Sequence, residues 1–191
     1  MDWKKLGEER IADKNRFYLV LSGDKEWKPD DYSYLSVNGH VEAILNYTVF
    51  KIFVLTLLKK RLNDGNEIRF VSGDNRGTDA MTEALACELG FDVYRYIADW
   101  DGNGKKAGFV RNEEMFFKVG SKENKGCILF WNGENHYTRN QIYQAYLFGT
   151  PCRVYNYVTK KWLSKEEIEG IQLEERQKQI GFKKGRKERE E

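Results

Sequence analysis

The chain has 191 residues, 40% apolar and 14% aromatic, which is about one domain's length with ample material for a core and argues against a disordered body. Lysine plus arginine (32) nearly balances aspartate plus glutamate (30). The resulting net charge of +2 argues against nucleic-acid binding driven by overall charge and leaves only a local basic patch for such a role.

The first apolar run, Arg16-Phe-Tyr-Leu-Val-Leu-Ser-Gly23, reads as a buried strand ending in a tight turn. A polar, aromatic loop containing Pro29 follows over residues 24–38. Residues 41–62 keep the helical period through Val41, Ile44, Leu45, Thr48, Val49, Ile52 and Leu55, and Asn63-Asp64-Gly65 supplies the stop. The alternation then repeats. The pattern predicts a strand over 67–71, a helix over 77–89 stopped by Gly90, and a strand over 92–97. A glycine-rich loop over 98–108 leads to a helix over 109–119 and a strand over 126–131. A loop over 132–137, a helix over 138–148 stopped by Gly149, and a strand over 152–157 complete the series. Five strands alternating with helices imply right-handed βαβ crossovers. The expected fold is a Rossmann-like three-layer α/β/α sandwich with a mainly parallel sheet. Such sheets bind ligands at the loops leaving the carboxyl ends of their strands.

After residue 157 the character changes. Ser164 and Glu167 have the spacing of a capping box, which starts a helix with a thin apolar stripe of Ile168, Ile171 and Leu173. From Glu174 onward the chain is almost wholly charged. We expect a domain over 1–160, then a peripheral C-terminal helix and a solvated, charged tail over 161–191. The basic cluster Lys183-Lys184-Gly185-Arg186-Lys187 is open to nucleic acid or a partner, but a soluble terminus is the simpler reading.

Cys87, Cys127 and Cys152 are far apart and each lies in an apolar segment. That pattern suits neither a disulfide framework nor a CxxC metal site, and reads as buried free thiols in a reducing cytoplasm. With only His40 and His136, a histidine-rich metal site has little support; no metal and no cofactor are expected. The charged N-terminus has no apolar signal core, and the longest apolar stretch, 50–58, is short and broken by Lys51. A soluble protein with no membrane contact, in the cytoplasm of a bacterium or of a phage-infected bacterial host, is expected. The oligomeric state stays open, a homo-oligomer included.

Three loops of unusual composition leave three strands and converge in this fold, beside Ser22 and Gly23 at the end of the first strand. The first is Ser72-Gly73-Asp74-Asn75-Arg76-Gly77-Thr78-Asp79. Its glycines let backbone N–H groups face an anion at a helix N-terminus. Asp79, in the first helical turn, is placed to hold the loop or to reach a ribose hydroxyl. The second runs over 98–108 and into Arg111-Asn112. It combines the aromatic face of Trp100, the acids Asp99 and Asp101, the cations Lys105 and Lys106, and Gly108. Arg111 has the forked donor geometry that grips phosphate, and Asn112 follows it. Asp99, Asp101 and Asn103 alternate as in a calcium loop, but Phe109 and Val110 stand where its glutamate belongs. The third loop is Trp131-Asn132-Gly133-Glu134-Asn135-His136-Tyr137-Thr138. Gly133 permits close backbone approach, Asn135 lies at its centre, and Thr138 can cap the helix and offer its hydroxyl to phosphate. His136 reads as a loop histidine. Asp79 and Asp99 are the carboxylates to consider for catalysis.

Together these loops resemble the SLOG superfamily, which groups DNA-processing-A-like and LOG-type Rossmann-like proteins, and within it a branch of small bacterial and phage proteins. In that branch a strand ends in a Gly-Gly-Ala-Arg-Gly-Ala-Asp-like turn. Gly73, Arg76, Gly77 and Asp79 match it, with Asp74 in place of the second glycine. The next family stretch is matched by Ala98-Asp99-Trp100, Gly104-Lys105, Ala107-Gly108, Arg111-Asn112 and Met115. In the last motif, Gly-x-Ser-x-Gly-Thr, Gly133 and Thr138 match while Asn135 and Tyr137 replace Ser and Gly. The resemblance covers roughly residues 17–157. It implies binding of a nucleotide or a nucleotide-derived, phosphate-bearing small molecule by a sensor, carrier or sequestering module, with Trp100 stacking on the base and Asp79 on the ribose. LOG-type members hydrolyse the N-glycosidic bond of nucleoside monophosphates with a glutamate that follows the last motif. Here Arg139-Asn140-Gln141-Ile142 follows Thr138, with no glutamate. A nucleotide hydrolase is therefore the alternative reading, and a DNA-associated protein the third.

Overall fold

The computed structural model describes residues 16–25 and 37–190. Among them the chain runs β1 (Arg16–Gly23), α1 (Val37–Asn63), β2 (Glu67–Ser72), α2 (Thr78–Leu89) and β3 (Asp92–Arg95). A short helical turn, α3 (Trp100–Asn103), continues through a 3-10 turn (Gly104–Lys106) into α4 (Ala107–Gly120). Then come β4 (Lys125–Trp131), α5 (His136–Leu147), β5 (Cys152–Asn156), β6 (Lys161–Trp162) and α6 (Lys165–Glu190).

The six strands form one sheet in the order β3-β2-β1-β4-β5-β6. Neighbours from β3 to β5 are parallel, and β6 alone pairs antiparallel, with Trp162 opposite Tyr155. The α/β sandwich expected from the alternating pattern is thus present. Its cause is visible in β1, which is apolar at nearly every position because both of its faces are covered. Phe17, Leu19 and Leu21 join a core with Phe50, Val54 and Leu58 of α1 and Met81 and Leu85 of α2. Tyr18 and Val20 join a second core with Met115, Phe116 and Val119 of α4 and Ile142 and Ala145 of α5.

Several boundaries differ from the sequence reading. Helix α1 begins at Val37, inside the stretch expected to be loop; the rest of that loop, 26–36, lies outside the described residues. The sixth strand is two residues long, too short for any periodicity to announce. Trp162 sits in it through ring contacts with Tyr155 (5.2 Å) and Phe53 (5.9 Å). The glycine-rich loop over 98–108 is largely helical, because the Asp99 carboxyl caps it by accepting from Gly102 N at 2.9 Å.

The capping box is present: Ser164 N donates to Glu167 Oε2 at 2.6 Å and Glu167 N to Ser164 Oγ at 3.2 Å. The helix it starts does not give way to a solvated coil but continues to Glu190. Its Glu, Lys, Arg and Gln residues are good helix formers, and Arg139 of α5 pairs with both Glu174 and Glu175. No helix among the described residues is long and apolar enough to cross a membrane.

Phe130 is fully buried and makes a tilted ring contact with Phe50 (5.2 Å) and an edge-to-face contact with Tyr155 (6.0 Å). Phe130→Ala should therefore cost about 3–5 kcal/mol in urea unfolding. A loss below about 1 kcal/mol would mean that the inner face is not packed in this way.

Candidate functional site

The sheet changes direction between β1 and β4. From β1 the chain steps outward through β2 and β3, then returns to the other side of β1 at β4. In open α/β sheets this switch point opens a crevice at the carboxyl ends of the strands. Here the end of β1 supplies Asp24, which is fully buried. One of its carboxyl oxygens, Oδ2, accepts from Asn132 N at 2.8 Å and from the Tyr157 hydroxyl at 3.1 Å, while Oδ1 accepts from the Thr138 hydroxyl. Its backbone carbonyl accepts from Thr78 N at 3.2 Å, at the start of α2. One residue thus joins β1 to the loops that begin α2 and α5 and to the segment after β5.

A second buried polar group lies beside it. Gln141 Nε2 donates to Ser22 Oγ at 2.9 Å, and Ser22 in turn hydrogen-bonds the Asp79 carboxyl. The Arg111 guanidinium, only 6% exposed, donates to the Gly73 carbonyl and, through Nε, to Asn112 Oδ1 at 3.0 Å. Asn112 Nδ2 donates to Asn140 Oδ1 at 3.0 Å and to the Tyr137 carbonyl at 3.2 Å. Gly73 belongs here for steric reasons: a Cβ at this position would lie 2.0 Å from Arg111 Nη1 and 2.9 Å from Asp79 Oδ2. Burial pushes the Asp79 carboxyl up to about 6, although Arg111, Ser22 and the Gly73 backbone all pull it down. Burial likewise lowers the Arg111 guanidinium, against the pull of Asp79. Two oxygens of this group, Asp79 Oδ1 and Gln141 Oε1, are buried and accept no hydrogen bond. Unpaired buried acceptors are rare and costly, so each calls for a donor.

The expected site residues therefore divide. Ser22, Gly73, Asp79, Arg111 and Asn112 come together in the buried group, with Gly108 at its margin under the Tyr137 ring, where a Cβ would lie 2.8 Å from Tyr137 Cε1. Thr138 turns to Asp24, and Asn135 caps α5 in its place, accepting from Tyr137 N at 2.9 Å and Thr138 N at 3.1 Å. Gly23 pairs with Phe130 in the sheet. Ser72 Oγ accepts from Asp74 N, and Asp74 itself faces Arg95 at 3.9 Å. Trp131 is buried, its Nε1 donating to Asn135 O at 3.0 Å, and Gly133 turns the loop at φ 96°. Gly77 precedes α2 with no side-chain cap. Arg76, Asp99 and Lys105 are exposed, and so is Trp100 at 54%. Nothing in the described structure holds Trp100 against the buried group.

Asp24, Asn140, Gln141 and Tyr157 were not foreseen. Asp24 read as the first residue of a polar loop, and the two amides as ordinary helix residues. Tyr157 lies 133 positions from its partner. Clefts of about 540 and 500 Å³ run along α6, and neither is lined by Asp79 or Arg111. Among the described residues no cluster of three or more His, Cys, Asp or Glu has the arrangement of a metal site. No family model, curated protein or solved structure matches the chain.

Two consequences can be measured. Asp24→Asn places an NH₂ against groups that donate, and should cost about 3 kcal/mol or more in urea unfolding. Tyr157→Phe, which removes one donor only, should cost about 1 kcal/mol; equal losses from the two would overturn the shared-acceptor arrangement. For Asp79 the folded value lies above the ordinary 3.8, so its contribution is full below about pH 4 and is lost as pH rises through about 6. A gap of about two pH units corresponds to about 3 kcal/mol. Asp79→Asn should therefore gain stability relative to wild type between about pH 4 and pH 7. Parallel stability curves for the two proteins would contradict the raised value.

Proposed function

We propose that the chain binds a nucleotide or a nucleotide-derived, phosphate-bearing small molecule at the carboxyl ends of β1, β2 and β4, as a sensor, carrier or sequestering module. The observation that carries this reading is the pair of buried, unpaired acceptors, Asp79 Oδ1 and Gln141 Oε1, joined through Ser22 at the switch point of the sheet. Ribose hydroxyls are donors of the right kind for two such oxygens. Arg111 is committed to Gly73 and Asn112, so its part is to hold the β2–α2 loop and to balance Asp79. The cations for phosphate are then the exposed Arg76 and Lys105 in the loops around the site. The tilted ring group of Phe109, His136 and Tyr137, with centroids 4.2–5.8 Å apart, offers the base an aromatic surface beside Gly108. The same loops support placing the chain with the SLOG superfamily.

A hydrolase acting on a nucleotide is favoured by one observation, the buried Asp79 carboxyl near 6, a value suited to general acid–base work. Against it, α5 presents the Gln141 amide where the LOG-type reading calls for a glutamate.

A thermal-shift panel of AMP, ADP-ribose, NAD, cyclic nucleotides and nucleotide sugars tests the proposal. A ligand at 100 times its dissociation constant adds about 2.7 kcal/mol, or roughly 5–10 °C at this chain length. The shift should appear for one class and shrink in both Asp79→Asn and Arg76→Ala. Silence across the whole panel would overturn the reading. Release of free base from a shifting compound would favour the hydrolase.

A further inference from the structure

Cys127 and Cys152 are separated by the whole of α5 in sequence, yet they stand directly opposite each other in the β4–β5 register. Opposed residues on neighbouring strands lie about 4.8 Å apart, inside the Cα window that a disulfide spans, and in a parallel pair they project to the same face. Both side chains pack on the same core, with Leu129 and Val154. Cys127 N donates to Pro151 O at 2.8 Å, which holds the strands in this register beside Cys152. Both thiols are free. Their surroundings differ. Cys127 is buried, whereas Cys152 is partly exposed and lines the cleft of about 540 Å³ together with Tyr146, Arg153, Trp162 and Leu163.

We infer that Cys127 and Cys152 form an oxidative modification site, in which a low-molecular-weight disulfide entering through the α6 cleft converts the pair into an intramolecular disulfide. Cys152 reacts first, because it alone of the two meets solvent. Burial and the adjoining Cys152 sulfur push the Cys127 thiol up, so Cys127 waits as a thiol. Cys152 loses its proton to water, and its sulfur attacks one sulfur of the small disulfide. That S–S bond breaks, one small thiolate leaves and takes up a proton, and a mixed disulfide remains on Cys152. Cys127 then gives up its proton and its sulfur attacks the Cys152 sulfur. The mixed S–S bond breaks and the second small thiol leaves. Two protein thiols are oxidised and one small disulfide is reduced to two thiols. The new bond ties β4 to β5 at the base of the unit that carries Thr138, Asn140 and Gln141.

The test uses the full chain with Cys87→Ser, which removes the exposed cysteine of α2. The protein is exposed to oxidised glutathione, quenched with a maleimide and weighed intact. The expected result is a loss of two hydrogens, no maleimide uptake, and a peptide pair linking Cys127 to Cys152 after digestion. Adding Cys127→Ser should halt the reaction with one glutathione on Cys152. The inference is overturned if both thiols remain open to the maleimide after denaturation, or if glutathione persists on Cys152 while Cys127 is present. Should the Cys127→Ser protein fail to fold, the linked peptide in the Cys87→Ser chain decides the matter alone.

Discussion

The buried Asp24 carboxyl accepts hydrogen bonds from the Asn132 backbone, the Thr138 hydroxyl and the Tyr157 hydroxyl, while its carbonyl meets Thr78 at the head of α2. Three segments distant in sequence converge on this residue. An apolar side chain would leave the buried Thr138 hydroxyl without this acceptor, at a cost of about 1–3 kcal/mol. This acceptor ties the loops that begin α2 and α5 to the end of β1.

The same contacts occupy much of what a generic phosphate site would use. At α2 the first N–H meets the Asp24 carbonyl, and at α5 two N–H groups meet the Asn135 side chain. Helix N-termini attract anions because those N–H groups are unpaired. Where they are already paired, recognition shifts to side chains. The polar group formed by Ser22, Asp79, Arg111, Asn112 and Gln141 keeps two buried oxygens, Asp79 Oδ1 and Gln141 Oε1, without a donor. Asp79 and Arg111 each temper the cost of the other's burial, which neither would survive as an isolated charge.

The opposition of two cysteines escaped sequence reading for a physical reason. Cys127 and Cys152 looked unrelated because an entire crossover helix intervenes, and only strand register brings them opposite each other. The resemblance gives Trp100 the stacking role. In the fold it is half exposed, while Phe109, His136 and Tyr137 form the aromatic surface nearer to Gly108. Tyr137 stands where the family motif has a glycine. Its ring lies along α4, and its carbonyl serves Asn112.

The sequence alone determined the alternation of strands and helices, and with it the layered α/β architecture, because apolar periodicity and helix stops are local and survive without knowledge of distant partners. It also marked Gly73, Asp79, Arg111 and Asn112, which the fold brings together. Tertiary structure alone decided the strand order and the place of the short β6. It also decided the burial of Asp24 and the turning of Thr138 toward it, the recruitment of Asn140 and Gln141, and the opposition of Cys127 to Cys152. These depend on which segments meet at the carboxyl edge and in what register. A buried polar residue declares its role only when its partners, here more than a hundred positions away, are known.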